Sequence, residues 1–328
     1  MLMKADILLF DDCLASEAFA VRDTLTLAAQ MPGSPGYDVR LVAAGGGPVA
    51  IAGLEVAAAA PRRWADVLVV PGLAGRSAAG IIARCTAGLA AERRLIAEAQ
   101  AAGVRIAAVC VGAFLAAAAG ALDGRRATTA WALTAALQRW RPQLWVEEGP
   151  MVLTDGPVTT TGAMSAAYDL ALALVSEAEG GEAAQQLRKL LALDGDRDDQ
   201  RRYGRSLPVG PRGDALVERA QLMIAETLAE GLDLPALARR CGASPRTLLR
   251  RFRAVTGETP LMFRQRLVVE AVRGLLETTT LPLADIPPRV GYADDVSLRR
   301  VFRARTGLTL AAYRRRFGAL PTHRSGPG

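Results

Sequence analysis

Residues 240–263 read RCGASPRTLLRRFRAVTGETPLMF, and residues 289–313 read RVGYADDVSLRRVFRARTGLTLAAY. The second stretch repeats the frame of the first. Gly242, Leu248, Phe252, Thr256-Gly257, Thr259 and Phe263 recur as Gly291, Leu298, Phe302, Thr306-Gly307, Thr309 and Tyr313, a period of 50 residues with one extra residue between Gly291 and Leu298. A repeat of this length marks a duplicated structural unit. Each copy is a short helix, a turn at its glycine and a second helix. On a 3.6-residue period Leu248, Phe252 and Val255 share one side of the first copy's second helix, and Arg246, Arg250 and Arg253 lie near the opposite side. In the second copy Leu298 and Phe302 form the apolar side, and Val296, Arg300 and Arg303 face outward. Ser244 followed by Pro245 is a helix start, an N-cap with proline at the first helical position.

The apolar side holds each second helix down, and the arginine side is free to enter a groove. Arginine is the side chain best suited to bidentate contact with guanine in the major groove of double-stranded DNA. A solvated arginine face on a helical bundle is the plainer alternative. The same frame with arginine in the same place twice argues for DNA. Charge agrees: residues 1–200 hold 17 Lys and Arg against 22 Asp and Glu, net −5, whereas residues 201–328 hold 23 against 11, net +12. A basic half joined to an acidic half points to nucleic acid as the partner of the basic half.

Residues 215–317 resemble the AraC/XylS DNA-binding domain through LPALARRCGASPRTLLRRFRAVTGETP, FRQRLVVEAVRGLLETT and VGYADDVSLRRVFRARTGLTLAAYRRRF. The resemblance implies an all-α domain with two helix-turn-helix units joined by a long helix, roughly Pro260 to Glu277. Its recognition helices would enter successive major grooves on one face of DNA. Carried over by position, the base-reading residues are Arg246, Leu249 and Arg250 in the first unit and Asp295, Val296 and Arg300 in the second. Two departures stand out. Pro287-Pro288 occupies the first helix of the second unit, where proline removes donors and shortens a helix, and Leu298 stands where the family usually has Phe.

The N-terminal half alternates strands and helices. Ala5–Phe10, Tyr37–Ala43, Val67–Val70, Val104–Val109 and Val158–Thr161 read as strands. Ala18–Ala29, Ala90–Ala102, Ala113–Ala119 and Ser165–Glu177 read as helices. This order predicts an α/β domain with a mostly parallel, flavodoxin-like sheet and helices on both faces. The uncharged run Ile106 to Leu122 is 17 residues long. It reads as a buried strand entering a buried helix rather than a membrane span. The expected domains are 1–193 and 214–318, with a Gly- and Pro-rich linker at 194–213 and a flexible tail at 319–328.

VCVGAFLAAAAGALDGRRATTAW at 109–131, VVPGLAG at 69–75 and TTGAMSAAYDLALALV at 160–175 resemble the class I glutamine amidotransferase-like domain of the PfpI type. That domain followed by an AraC-type one is the GlxA-like order of regulators. In such a fold Cys110 sits in a sharp turn after a strand, where the turn exposes the thiol and a helix N-terminus favours the thiolate. The subfamily commonly has His after the Thr-Thr pair, but Ala130 stands here and the one histidine is His323. A Cys-His dyad is therefore missing from residues 1–193, and no catalytic residue is assigned. Cys13, Cys85, Cys110 and Cys241 form no Cys-x-x-Cys pair, which argues against a metal and for a reducing compartment, the cytoplasm. No cofactor is expected. The crevice at the carboxyl ends of the strands would be lined by Asp12, Glu17, Gly72, Leu73, Cys110, Val111, Thr161 and Gly162. The resemblance suggests a small nitrogenous metabolite as ligand and a homodimer as assembly. The other readings are a Cys-dependent amidase- or deglycase-like enzyme fused to a DNA-binding domain, and a Cys110 redox sensor.

Overall fold

The computed structural model describes residues 2–75, 77–195, 197–203 and 214–318. Internal contacts divide the chain after Gln200 into two units.

The first unit runs β1 (Met3–Leu9), α1 (Ala15–Ala28), β2 (Tyr37–Ala43), the hairpin β3 (Val49–Ile51) and β4 (Leu54–Val56), β5 (Val67–Val70), α2 (Ala78–Ala83), α3 (Ala90–Ala101), β6 (Arg105–Ala108) and α4 (Gly112–Ala118). It continues with β7 (Arg126–Ala127), α5 (Thr134–Trp140), β8 (Trp145–Val146), β9 (Val152–Asp155), β10 (Val158–Thr161), α6 (Ala166–Glu179) and α7 (Gly181–Leu190). The main sheet has the order β2-β1-β5-β6-β10-β9, with every neighbour parallel except β9, which pairs antiparallel to β10. Without that edge strand this is the flavodoxin-like order. The crossover from β1 to β2 runs one way along the sheet and that from β5 to β6 the other. Right-handed connections therefore put α1 and α3 on opposite faces. β1 is an interior strand between β2 and β5, and its Ala5, Ile7, Leu8 and Leu9 are fully buried, the continuous apolar run that a doubly covered parallel strand requires.

The uncharged run from Ile106 resolves as β6 passing into α4, and among the described residues no helix is long and apolar enough to cross a membrane. α4 starts hard against the end of β5: a Cβ on Gly112 would lie 2.3 Å from the Val70 carbonyl oxygen. Any other residue there would push the Cys110 turn off the sheet. The expected linker is packed structure in part. Met151 N–H donates to the Asp198 carbonyl at 2.9 Å, Gln200 N–H donates to the Gly149 carbonyl at 2.7 Å, and Gln200 is fully buried. Residues 204–213 and the expected tail lie outside the described residues.

The second unit is helical: α8 (Ala215–Glu226), α9 (Leu234–Arg240), α10 (Pro245–Thr256), α11 (Pro260–Thr278), α12 (Ile286–Arg289), α13 (Asp295–Thr306) and α14 (Leu310–Phe317). The 50-residue repeat is visible in its atoms. Phe252 meets Phe263 edge-on at 5.5 Å, and Phe302 meets Tyr313 edge-on at 5.3 Å. Each pair belongs to its own apolar core. Thr256 Oγ1 donates to the Phe252 carbonyl and Thr306 Oγ1 to the Phe302 carbonyl, closing the ends of α10 and α13. Gly257 and Gly307 follow in the left-handed region, and Thr259 and Thr309 cap the next helices. The Thr-Gly-x-Thr frame is thus a helix stop and a helix start in four residues. α12 has four residues where its counterpart α9 has seven, as Pro287-Pro288 foretold.

Arg264, in the first half of α11, is buried, and its Nη2 donates to the carbonyls of Leu228, Val290 and Gly291 at 3.0, 3.3 and 2.9 Å. Gly291 is required there twice over. Its φ is +73°, and a Cβ would lie 2.6 Å from that Nη2 atom. Arg264→Met should lower the stability of the second unit by about 1–3 kcal/mol, because one buried and two half-buried carbonyls lose their donor. Urea unfolding followed by circular dichroism checks this, and an unchanged midpoint would contradict the role given to the guanidinium.

Candidate nucleic-acid interface and ligand crevice

The two second helices, α10 and α13, present the predicted faces. On α10, Ser244 Oγ accepts from Thr247 N–H at 3.2 Å, which fixes the helix start. Leu248 and Phe252 are fully buried below, while Arg246, Leu249, Arg250 and Arg253 are exposed. Arg251 is set apart from them by a two-pronged ion pair with Asp214, the N-cap of α8. On α13 the cap is Asp294, whose Oδ1 accepts from Ser297 N–H at 2.7 Å; that bond holds its carboxyl below the ordinary range. Val296, Arg300 and Arg303 are exposed, Val296 at 76%. Asp295 is half-buried and its carboxylate is held by Arg299 one turn on, at 2.6 Å. An exposed pair of this kind contributes at most about 1 kcal/mol, so exchanging it for a base edge is cheap. Among the described residues Arg246, Arg250, Arg253 and Arg303 enter no ion pair. They are cations without an internal partner on an exposed face.

In the first unit the strand order reverses between β1 and β5, and the loops after these strands converge there, as expected at a topological switch point. Glu17, in the first turn of α1, is fully buried, and its Oε2 accepts from Gly72 N–H at 2.6 Å. A Cβ on Gly72 would lie 2.7 Å from Val111 and 2.9 Å from Glu17. Glu17, Gly72, Cys110 and Val111 are therefore brought together. Leu73 is buried and bridges Cys13 beside them. Asp12 is exposed at the rim in the left-handed region, at φ 63°. Thr161 and Gly162 are buried at the end of β10, but their neighbour is Gln200: a Cβ on Gly162 would lie 2.7 Å from its Oε1.

Cys110 departs from the expectation. Its φ of 53° shows the sharp, strained turn, yet the turn does not expose the thiol, since the residue is only 7% accessible. Burial, and then the Glu17 charge, push the thiol well above its ordinary range, against the backbone amides of Val111 and Met164. Desolvation outweighs the start of α4. Glu17 is itself pushed up to about 7 by burial, opposed by its bonds to Gly72 N–H and the Cys110 thiol. Thr129 Oγ1 donates to the Cys110 carbonyl at 2.7 Å, and where a histidine was sought Ala130 is followed by Trp131, whose N–H donates to Gln200 Oε1 at 3.0 Å. Gln200 was not found from sequence, because its surroundings carry the composition of a linker. Among the described residues no group of His, Cys, Asp or Glu could hold a metal.

The Glu17 pKa has a measurable consequence. Folded protein holds a proton here that the unfolded chain, at its ordinary 4.5, releases. That stabilisation is complete below about 4.5 and is lost as pH rises through about 7. The melting temperature of Glu17→Gln relative to wild type should therefore climb between these values and level off above them. A difference independent of pH would contradict the buried, protonated carboxyl.

Residues 3–177 match the DJ-1/PfpI family, and residues 237–316 match a helix-turn-helix domain. The HTH-type transcriptional regulator CdhR of Pseudomonas aeruginosa is 32% identical over 205 residues, 62% of this chain and 60% of CdhR. The HTH-type transcriptional regulator GlxA of Rhizobium meliloti is 29% identical over 227 residues, 66% of this chain and 67% of GlxA. The chain thus spans under two thirds of CdhR's length. A THiJ/PfpI family protein from Pseudomonas syringae shares the fold at 23% identity and a TM-score of 0.50, over 69% of this chain and 87% of its own. The sheet order, the Cys110 turn and the matched half of the sequence agree: the chain belongs to the DJ-1/PfpI family and carries a helix-turn-helix domain behind that family's fold.

Proposed function

We propose that this chain is a sequence-specific DNA-binding transcriptional regulator acting in the cytoplasm, with residues 1–193 as a ligand-sensing and dimer-forming domain and residues 214–318 as the reader of double-stranded DNA. The observation that carries the reading is the duplicated arginine face: two capped helices with the same apolar underside present exposed cations with no internal partner. Phosphate attraction alone would not need the faces to repeat in register; reading bases on two successive turns of a duplex does. The names of CdhR and GlxA support the same function.

The first domain is read as catalytically silent. Nucleophilic attack needs the Cys110 thiolate, and burial, then the Glu17 charge, push that thiol well above its ordinary range. A raised, buried thiol also speaks against Cys110 as a redox sensor. What remains is recognition. Among the described residues Glu17 Oε1 is buried without a hydrogen-bond partner, and it suits a small ligand with a donor, such as an amine. Entry requires the closed loops after β1 and β5 to part.

Selection of bound duplexes from a random library supplies the DNA for the test. Arg250→Ala should cost about 1–3 kcal/mol on the selected site and less on random DNA. Equal losses on both would reduce Arg250 to a phosphate contact, and a wild-type protein that enriches no sequence would overturn the proposed function.

A further inference from the structure

The two recognition helices begin alike in geometry and unlike in chemistry. α10 and α13 are each 12 residues long, and in each the capping side chain accepts the N–H three residues on, Ser244 from Thr247 and Asp294 from Ser297. The second helical residue therefore holds the same place in both copies. It is Arg246 in α10 and Val296 in α13. Further along, Arg250 and Arg253 recur as Arg300 and Arg303. The first turn does not recur: Ser-Pro-Arg opens one helix and Asp-Asp-Val the other.

Val296 is more exposed than any other large apolar side chain among the described residues. On a helical period it forms one outward stripe with Arg300 and Arg303. Arg299 is drawn aside from that stripe to Asp295. A lone exposed valine elsewhere needs no explanation. This one stands where a helix-turn-helix touches base edges, because the N-terminal residues of its second helix make those contacts in the major groove. A valine there offers no hydrogen bond. Against guanine, cytosine or adenine it would cover donors and acceptors and leave them unpaired. Thymine alone shows a methyl group in the major groove, and apolar contact is its match.

We propose that the two half-sites differ in chemistry: Arg246 reads a guanine, and at the corresponding place in the second half-site Val296 reads the C5-methyl of a thymine. Arg300 follows Val296 by four residues, about 6 Å along the helix. The thymine thus falls within about two base pairs of the guanine that Arg300 covers. A duplicated protein frame then reads a DNA site whose halves are not copies, and the two helix-turn-helix units cannot exchange places on it. The inference rests on the reading of this chain as a sequence-specific DNA-binding regulator, and it names the base that one side chain selects.

The test uses the full chain and the duplex that wild type enriches from a random library. Deoxyuridine replaces each thymine in turn, which removes one methyl group and keeps the base-pair hydrogen bonds. Fluorescence anisotropy reads affinity. One exchange, within about two base pairs of the guanine whose recognition is lost in Arg300→Ala, should weaken wild-type binding about threefold to fivefold, the worth of one buried methyl. The same exchange should leave the affinity of Val296→Ala unchanged. Val296→Arg, which copies Arg246, should enrich guanine in place of that thymine. Val296 lies outside the core, and the deoxyuridine duplexes probe the wild-type protein itself, so no variant's folding decides the outcome. Wild-type affinity unmoved by every exchange would overturn the proposal, as would a methyl effect that persists in Val296→Ala. Either result leaves an enriched sequence, and with it the DNA reading, intact. If wild type enriches no sequence, that reading fails and the inference falls with it.

Discussion

Arg264 donates from one face of α11 to the carbonyls of Leu228, Val290 and Gly291. The long helix, the segment before the first helix-turn-helix and the turn of the second are thereby held to a single guanidinium. Sliding any one of them leaves a buried or half-buried carbonyl without its donor. Two recognition helices can meet successive grooves of one duplex only if their spacing is fixed. This buried charge ties α11 to the segment at Leu228 and to the turn that precedes α13, and the close packing of Gly291 against it leaves no room for a larger residue.

Much of this was legible in the sequence because the repeat is local chemistry. Ser244, Thr259 and Thr309 are caps, Gly257 and Gly307 are stops, and Leu248, Phe252, Leu298 and Phe302 follow a helical period. Such signals need no knowledge of distant residues. The parallel strands were equally plain, since β1 and β5 are short apolar runs between turns. The antiparallel edge strand β9 was missed because VLTD has no alternation strong enough to mark it. At the second recognition helix Asp295 was read for DNA, while the neighbouring Asp294 takes the cap and Arg299 holds Asp295; two adjacent acids cannot be told apart without the backbone.

The crevice was legible in membership but not in state. Glu17, Gly72, Cys110 and Val111 do meet, because the switch point of the sheet brings the ends of β1, β5 and β6 together. Their exposure could not be read, since it depends on how loops distant in sequence close over the turn. The thiol is consequently buried and raised where helix-dipole reasoning alone made it reactive. Gln200 shows the same limit from the other side. A polar residue in a stretch rich in aspartate and arginine carries no sign of burial, and only its bonds to Thr128 and Thr129 and from Trp131 reveal it.

Two matched helices that read two successive major grooves cover guanine N7 at two places on one duplex. Dimethyl sulfate protection on the duplex selected by the wild-type protein tests it most directly, because the reagent methylates guanine N7, the atom that a bidentate arginine covers. Two protected clusters are expected, with centres about 10 base pairs apart, one helical turn, the first lost in Arg250→Ala and the second in Arg300→Ala. A single protected cluster, or protection unaffected by either substitution, would contradict it.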